Sequence, residues 1–174
     1  MKLKRDARTL KQHGLASLRR GLEIFNGYDD RGRTESVLLH LQHSSEMLVK
    51  ALLVQRSQAV FDKEKGTSIG LERALNVATS NGYITGVQAG AIRAIDAMRD
   101  AAQHWMLVVP EDVLYLNSRT LITAIDELLQ EHFEDTLANH LPLRVRAIVE
   151  SGVCGVGMRQ EKAVAIEGEC CFSR

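Results

Sequence analysis

Apolar residues recur along most of this chain at the three- and four-residue spacing of amphipathic helices. The first such segment is predicted over about residues 7–25, with Leu10, Leu15, Leu18, Leu22 and Phe25 on one stripe. The turn signals in "NGYDDRGR" stop it. A second helix is predicted over about 34–57, with Val37, Leu38, Leu41, Leu48, Ala51 and Leu52 inward and a polar patch of His40, His43, Ser44 and Ser45 interrupting them. "DKEKGTS" reads as a surface loop, and a third, shorter helix over about 69–79 ends at Asn81-Gly82. Thr85 and Gln88 form a capping-box pattern that opens a fourth helix, which runs to about 107 before Pro110. A fifth, over about 111–138, begins with two acids that suit the positive end of its dipole and buries Leu114, Leu121, Ile125, Leu128 and Leu129. Strand signals before residue 140 are weak. The expected fold is all-α, an antiparallel bundle of four to five helices.

Past residue 146 the pattern changes. Glycine and valine rise, helical periodicity fades, and 147–174 reads as an irregular C-terminal tail or the truncated remnant of a further segment. The chain therefore divides into a helical domain, 1–146, and this tail. The 174 residues suit one domain with a real core. No apolar run approaches the roughly 20 residues that cross a bilayer, and the basic N-terminus lacks the apolar stretch of a secretory signal. Three cysteines, Cys154, Cys170 and Cys171, form neither a disulfide framework nor a metal-ligand spacing. The expected location is the cytoplasm, with no membrane partner.

Net charge is zero, but unevenly spread. Residues 1–20 carry Lys2, Lys4, Arg5, Arg8, Lys11, Arg19 and Arg20 against Asp6; residues 111–135 carry Glu111, Asp112, Asp126, Glu127, Glu131, Glu134 and Asp135 against Arg119. Such a molecule can bind nucleic acid through its basic end, or pair basic end to acidic flank within or between subunits.

The fourth helix carries the most chemistry. At about 100° per residue, Val87, Ala91, Ile95, Met98, Ala102 and Trp105 fall in one sector, the expected buried one, and Arg93, Asp96, Arg99, Asp100, Gln103 and His104 fill the opposite arc. Arg99 and His104 lie about 140° apart on a straight helix. Asp100 and His104 are one turn apart, so the carboxylate is placed to orient the imidazole or raise its pKa. On periodicity alone this face is also what a solvated, ion-paired helix presents.

The segment Arg99-Asp-Ala-Ala-Gln-His104 resembles the Arg-x4-His motif of the HEPN superfamily (higher eukaryotes and prokaryotes nucleotide-binding). With "GLEIFNG", "LLHLQHSSEMLVKALLV" and "HLPLRV", residues 10–146 are similar to a prokaryotic HEPN-like family of unknown function. The resemblance implies a bundle of HEPN type, a homodimer in which two motifs line one cleft, and metal-independent endoribonuclease activity in a defence or toxin–antitoxin setting. It implies RNA as substrate, no cofactor, and an antitoxin or other protein as a further partner. His104 would be the general acid or base, since histidine's ordinary pKa of about 6.5 lies near neutrality. Arg99 would clamp the scissile phosphate, and Asp100 would position the histidine. Glu46, His43 and Gln103 are expected around them, Glu46 pairing with Arg99 or, one turn on, with Lys50.

Other chemistries find less support. His40-x-x-His43-x-x-Glu46 has the look of metal ligands on a helix, but three-residue steps drift around it and no partner motif exists elsewhere, so no metal is expected. There is no nucleophile elbow, no P-loop and no dinucleotide fingerprint. Trp105 is expected in the core, and His13, His132 and His140 on the surface. Two other readings stand beside the nuclease: a catalytically silent module that binds nucleic acid or a partner protein, and a plain helical interaction domain.

Overall fold

The computed structural model describes residues 2–62, 66–104 and 109–141. Its elements are α1 (Arg5–Phe25), α2 (Arg33–Gln55), β1 (Phe61–Asp62), β2 (Thr67–Ser68), α3 (Leu71–Ser80), α4 (Gly86–Gln103) and α5 (Glu111–Phe133), followed by a 3-10 turn over Leu137–Asn139. The fold is an all-α bundle. The stretch expected as a loop instead holds a minimal antiparallel hairpin, with Phe61 opposite Ser68 and Asp62 opposite Thr67. Trp105, the three cysteines and the tail 147–174 lie outside the described residues.

α2 is the hub. Leu48, Val49, Ala51, Leu52 and Leu53 are all buried, so the helix is apolar nearly all round there. It packs against α1, α3, α4 and α5. Its closest partner is α1, which runs antiparallel to it: Lys4 reaches Gln55 and Val54 at one end, and Ser17 reaches His40 toward the other. Two glycines permit this approach. A Cβ on Gly14 would meet the Leu48 side chain at 2.8 Å and the Ser44 carbonyl at 3.1 Å, and one on Gly21 would meet His40 at 3.1 Å.

The capping box at the start of α4 is present in both halves, with Thr85 Oγ1 accepting from the Gln88 amide and Gln88 Oε1 from that of Thr85. It also turns the helix away from the expected stripe. Gln88 is drawn inward, where Nε2 donates to Glu127 at 3.1 Å, and the buried face becomes Gln88, Ala89, Ala91, Ile92 and Ile95. Val87, expected on the buried sector, is therefore 80% exposed.

α5 stops at Phe133, short of the expected 138. Glu134 takes a left-handed conformation (φ 51°) that ends the helix. Asp126 then accepts from the Leu137 amide and the Thr136 hydroxyl, folding the chain back into the 3-10 turn. His13 and His140 lie at the surface as expected. His132 does not. Its side chain is only 10% exposed, because Nε2 meets the Tyr83 carbonyl at 2.6 Å and Nδ1 meets Arg56 at 3.0 Å, tying α5 to the end of α2 and to the turn before α4.

Part of the charge asymmetry is settled within the chain. Arg33 pairs with Glu111 at 2.6 Å. Lys11, nearly buried and lying over the Phe133 ring, pairs with Asp135. Burial alone would push the Asp135 carboxyl up. Hydrogen bonds from Lys11, Asn139, His140 and the Thr136 amide outweigh it and hold the carboxyl well below the usual carboxylate range.

Two pairs of measurements follow from this packing. Gly14→Ala should destabilise by about 1–3 kcal/mol in urea denaturation, because the new methyl overlaps Leu48. Gly90→Ala, in α4 with open space around its Cβ position, should stabilise by about 0.5–1 kcal/mol. Equal effects at the two sites would refute the tight-crossing account. Lys11→Met should cost roughly 3 kcal/mol at pH 7, since it leaves a largely buried carboxylate without its cation. A depressed folded-state pKa gives stability that is present above the unfolded value of about 3.9 and lost as pH falls through the folded value. The gap between wild type and Lys11→Met should therefore shrink as pH drops below about 4, and a gap constant down to pH 2 would rule out Asp135 as its source.

Candidate functional site

The polar face of α4 is built in two layers. The inner layer meets α2. Asp96 is partly buried and accepts a hydrogen bond from Gln42, itself a buried residue of α2. Burial raises the Asp96 carboxyl above the ordinary range, as do the neighbouring charges of Asp100 and Glu46; Gln42 and Arg99 pull it down without cancelling the rise. The outer layer lies along the last turn. Arg99 donates to Asp100 Oδ1 at 2.5 Å and to Gln103 Oε1 at 3.0 Å. Its Nε is shielded from solvent yet has no acceptor among the described residues.

His104 is the C-cap of α4, its backbone amide donating to the Asp100 carbonyl at 3.2 Å. The side chain is exposed. The Asp100 carboxylate, expected to orient this imidazole, is engaged by Arg99 instead. Asp100 and His104 are thus joined through the backbone, which fixes where the ring starts but leaves its rotamer free. The structure brings Arg99, Asp100 and Gln103 into one hydrogen-bonded group and sets His104 immediately beyond it.

The α2 residues divide between two neighbourhoods. Glu46 pairs with Lys50, one turn on, rather than with Arg99. Lys50 is buried and also donates to Ser68 of β2 at 2.9 Å, so Glu46, Lys50 and the hairpin form one unit. Glu46 still lies close enough to be felt by Asp96. His43 is exposed and stands one turn from His40, whose pKa its charge helps to lower. His40 is held below histidine's ordinary pKa by burial first, then by the charges of Arg20 and His43. It contacts Ser17 rather than any metal-like set, and among the described residues no group of three His, Cys, Asp or Glu side chains is arranged to hold a metal ion.

Two contributors were not singled out from sequence. Asp96 was legible as part of the i, i+3, i+4, i+7 series Asp96, Arg99, Asp100, Gln103. Gln42 carries no such signal, since its role comes from a contact across helices.

A carboxyl whose folded-state pKa is raised opposes folding at neutral pH, and the opposition disappears once it is protonated. Asp96→Asn should therefore be more stable than wild type in urea at pH 7 and equal to it at pH 3. A variant less stable at pH 7 would mean that the carboxylate is a net structural asset. No family model matches this chain, and no curated protein or solved structure shows significant similarity to it.

Proposed function

We propose that this chain is a HEPN-like homodimer that cleaves RNA without a metal, in a prokaryotic defence or toxin–antitoxin setting. One observation carries the reading. Among the described residues Arg99 donates to two side chains of its own last turn, Asp100 and Gln103, and its Nε has no acceptor; His104 follows at the end of the same helix. Partners one and four residues away exchange readily for a phosphate, unlike the inter-helix pair that Arg93 makes with Glu72.

In the proposed reaction the 2′-oxygen attacks the adjacent phosphorus as a histidine takes its proton. The bond from phosphorus to the 5′-oxygen breaks, and that oxygen receives a proton from a second histidine. A twofold axis near the end of α4 would supply both as His104 of each protomer, leaving a 2′,3′-cyclic phosphate. Arg99 would hold the phosphate oxygens as charge builds on them. The 2′-OH requirement makes the reaction specific to RNA. An antitoxin would act by covering the same end of α4.

A second reading rests on a different fact. Asp96 and Asp100 both interact with the Arg99 guanidinium, which opposes a phosphate and favours a non-catalytic module that binds nucleic acid or a partner protein.

The test is cleavage of a labelled RNA panel in excess EDTA by wild type, His104→Ala and Arg99→Ala. Cleavage by wild type alone, with 2′,3′-cyclic ends and a loss of at least about 100-fold in the histidine variant, is expected. No cleavage by any of the three would leave the binding module as the better account, and equal cleavage by all would remove His104 from the chemistry.

A further inference from the structure

α1 has a face that the bundle does not use. Its inner side is buried, and its outer side carries Arg5, Arg8, Arg19 and Arg20, all exposed. At 100° per residue these four fall within a sector of about 120°, and the line from Arg5 to Arg20 is about 22 Å long. Gln12 and Ala16, also exposed, fill the sector between the two pairs, so no acid interrupts it before Glu23. Glu23 pairs with Arg19 at 3.1 Å and Arg20 at 3.5 Å, and both arginines stay more than half exposed. Arg5 and Arg8 make no ion pair with any described residue. They stand one turn apart near the positive end of the helix dipole, where like charges repel each other and the dipole opposes both.

We propose that this arginine stripe is a docking surface for the phosphate backbone of an RNA strand, separate from the end of α4. The choice of RNA as the polyanion rests on the nuclease reading above; the surface itself rests on the charge pattern. All four cations are arginine, whose planar fork matches phosphate oxygens two at a time. A line of cations on a straight helix suits a linear polyanion, and binding of this kind is independent of base sequence. A membrane surface fits less well. Helices that lie on bilayers insert large apolar side chains beside their cations. Here the apolar residues of α1 are turned into the bundle, where Leu18 and Leu22 are fully buried, and the stripe itself offers only Ala16. At its far end Arg20 lies close enough to His40 to lower its pKa. His40 belongs to α2, the same helix that supports Asp96 through Gln42, so the stripe and the α4 face share one scaffold.

The test is fluorescence polarisation of the full chain with a labelled 20-nucleotide 2′-O-methyl strand, which binds as RNA but cannot be cut through its blocked 2′-oxygen. Binding should weaken steeply with salt. Each phosphate contact contributes about 0.7 to the slope of log K against log salt for a single strand. Arg5→Gln with Arg8→Gln should therefore flatten the slope by about 1.4 and weaken binding about 25-fold at 0.1 M salt. Arg19→Gln with Arg20→Gln should act in the same direction. Arg73→Gln, an exposed arginine of α3 away from the stripe, should leave slope and affinity unchanged. Circular dichroism of each variant reports the fold. Strand binding that ignores the stripe variants overturns the proposal and leaves the nuclease reading standing. Stripe-dependent binding with no cleavage of ordinary RNA supports the docking surface while the nuclease reading fails. Loss of vesicle binding in the stripe variants, on vesicles containing phosphatidylserine and with no strand binding, overturns it in favour of lipid. Loss of self-association in those variants with unchanged strand binding overturns it in favour of a second copy's acidic helix.

Discussion

The close approach of α1 to α2 sets the geometry of everything else. Gly14 and Gly21 let two backbones meet where side chains would hold them apart, and Ser44, Leu48 and His40 fill the space that a Cβ would take. Because α1 lies so near, α2 can afford apolar residues on nearly every side, with the remaining helices closing around it. Ser17 and Lys4 then fix the pairing lengthwise through His40, Val54 and Gln55. A helix so enclosed has little freedom to rotate, so the polar residues it exposes toward α4 are held at definite positions. Gln42 and Glu46 reach Asp96 for this reason.

The bundle spends its polar contacts unevenly. At the Lys11–Asp135 pair a nearly buried cation meets a carboxylate supported by three further donors, and the result stabilises the charged form. At Asp96 the opposite holds: burial and two neighbouring acids outweigh one amide and one guanidinium. Regions that retain unfavourable charge are where binding sites are most often found. The stripe on α1 has the same character on the outside of the molecule, with like charges left next to one another rather than alternated with acids.

Much of this architecture was legible in the residue pattern. Period-3.6 stripes placed all five helices, Asn81-Gly82 marked the end of α3, and Thr85 with Gln88 marked the start of α4. The errors have common causes. Val87 followed the ideal wheel, but the capping residue Gln88 found Glu127 and turned inward, which no wheel contains. His132 was expected at the surface, while its burial depends on Arg56 and Tyr83, 76 and 49 residues away. The end of α5 depends on Asp126 capturing a later segment. Within the candidate site, spacing put Asp100 with His104, one turn apart, whereas the adjacent Arg99 engages the carboxylate and bonds Gln103 as well. Glu46 offered Arg99 and Lys50 equally, and proximity on its own helix decided for Lys50.

The buried ammonium of Lys50 links three places by hydrogen-bond valence. It has two described acceptors, Glu46 on α2 and Ser68 on β2, and with 3% of its side chain exposed little water can replace either. The minimal hairpin is thereby tied by a hydrogen bond to the interior of a helix it does not belong to. Glu46 in turn lies close enough to Asp96 for its charge to act there, so one line of contacts runs from the hairpin to the polar face of α4. A two-residue strand on the rim of the bundle is thus joined, through one buried ammonium, to the carboxylates at its polar centre.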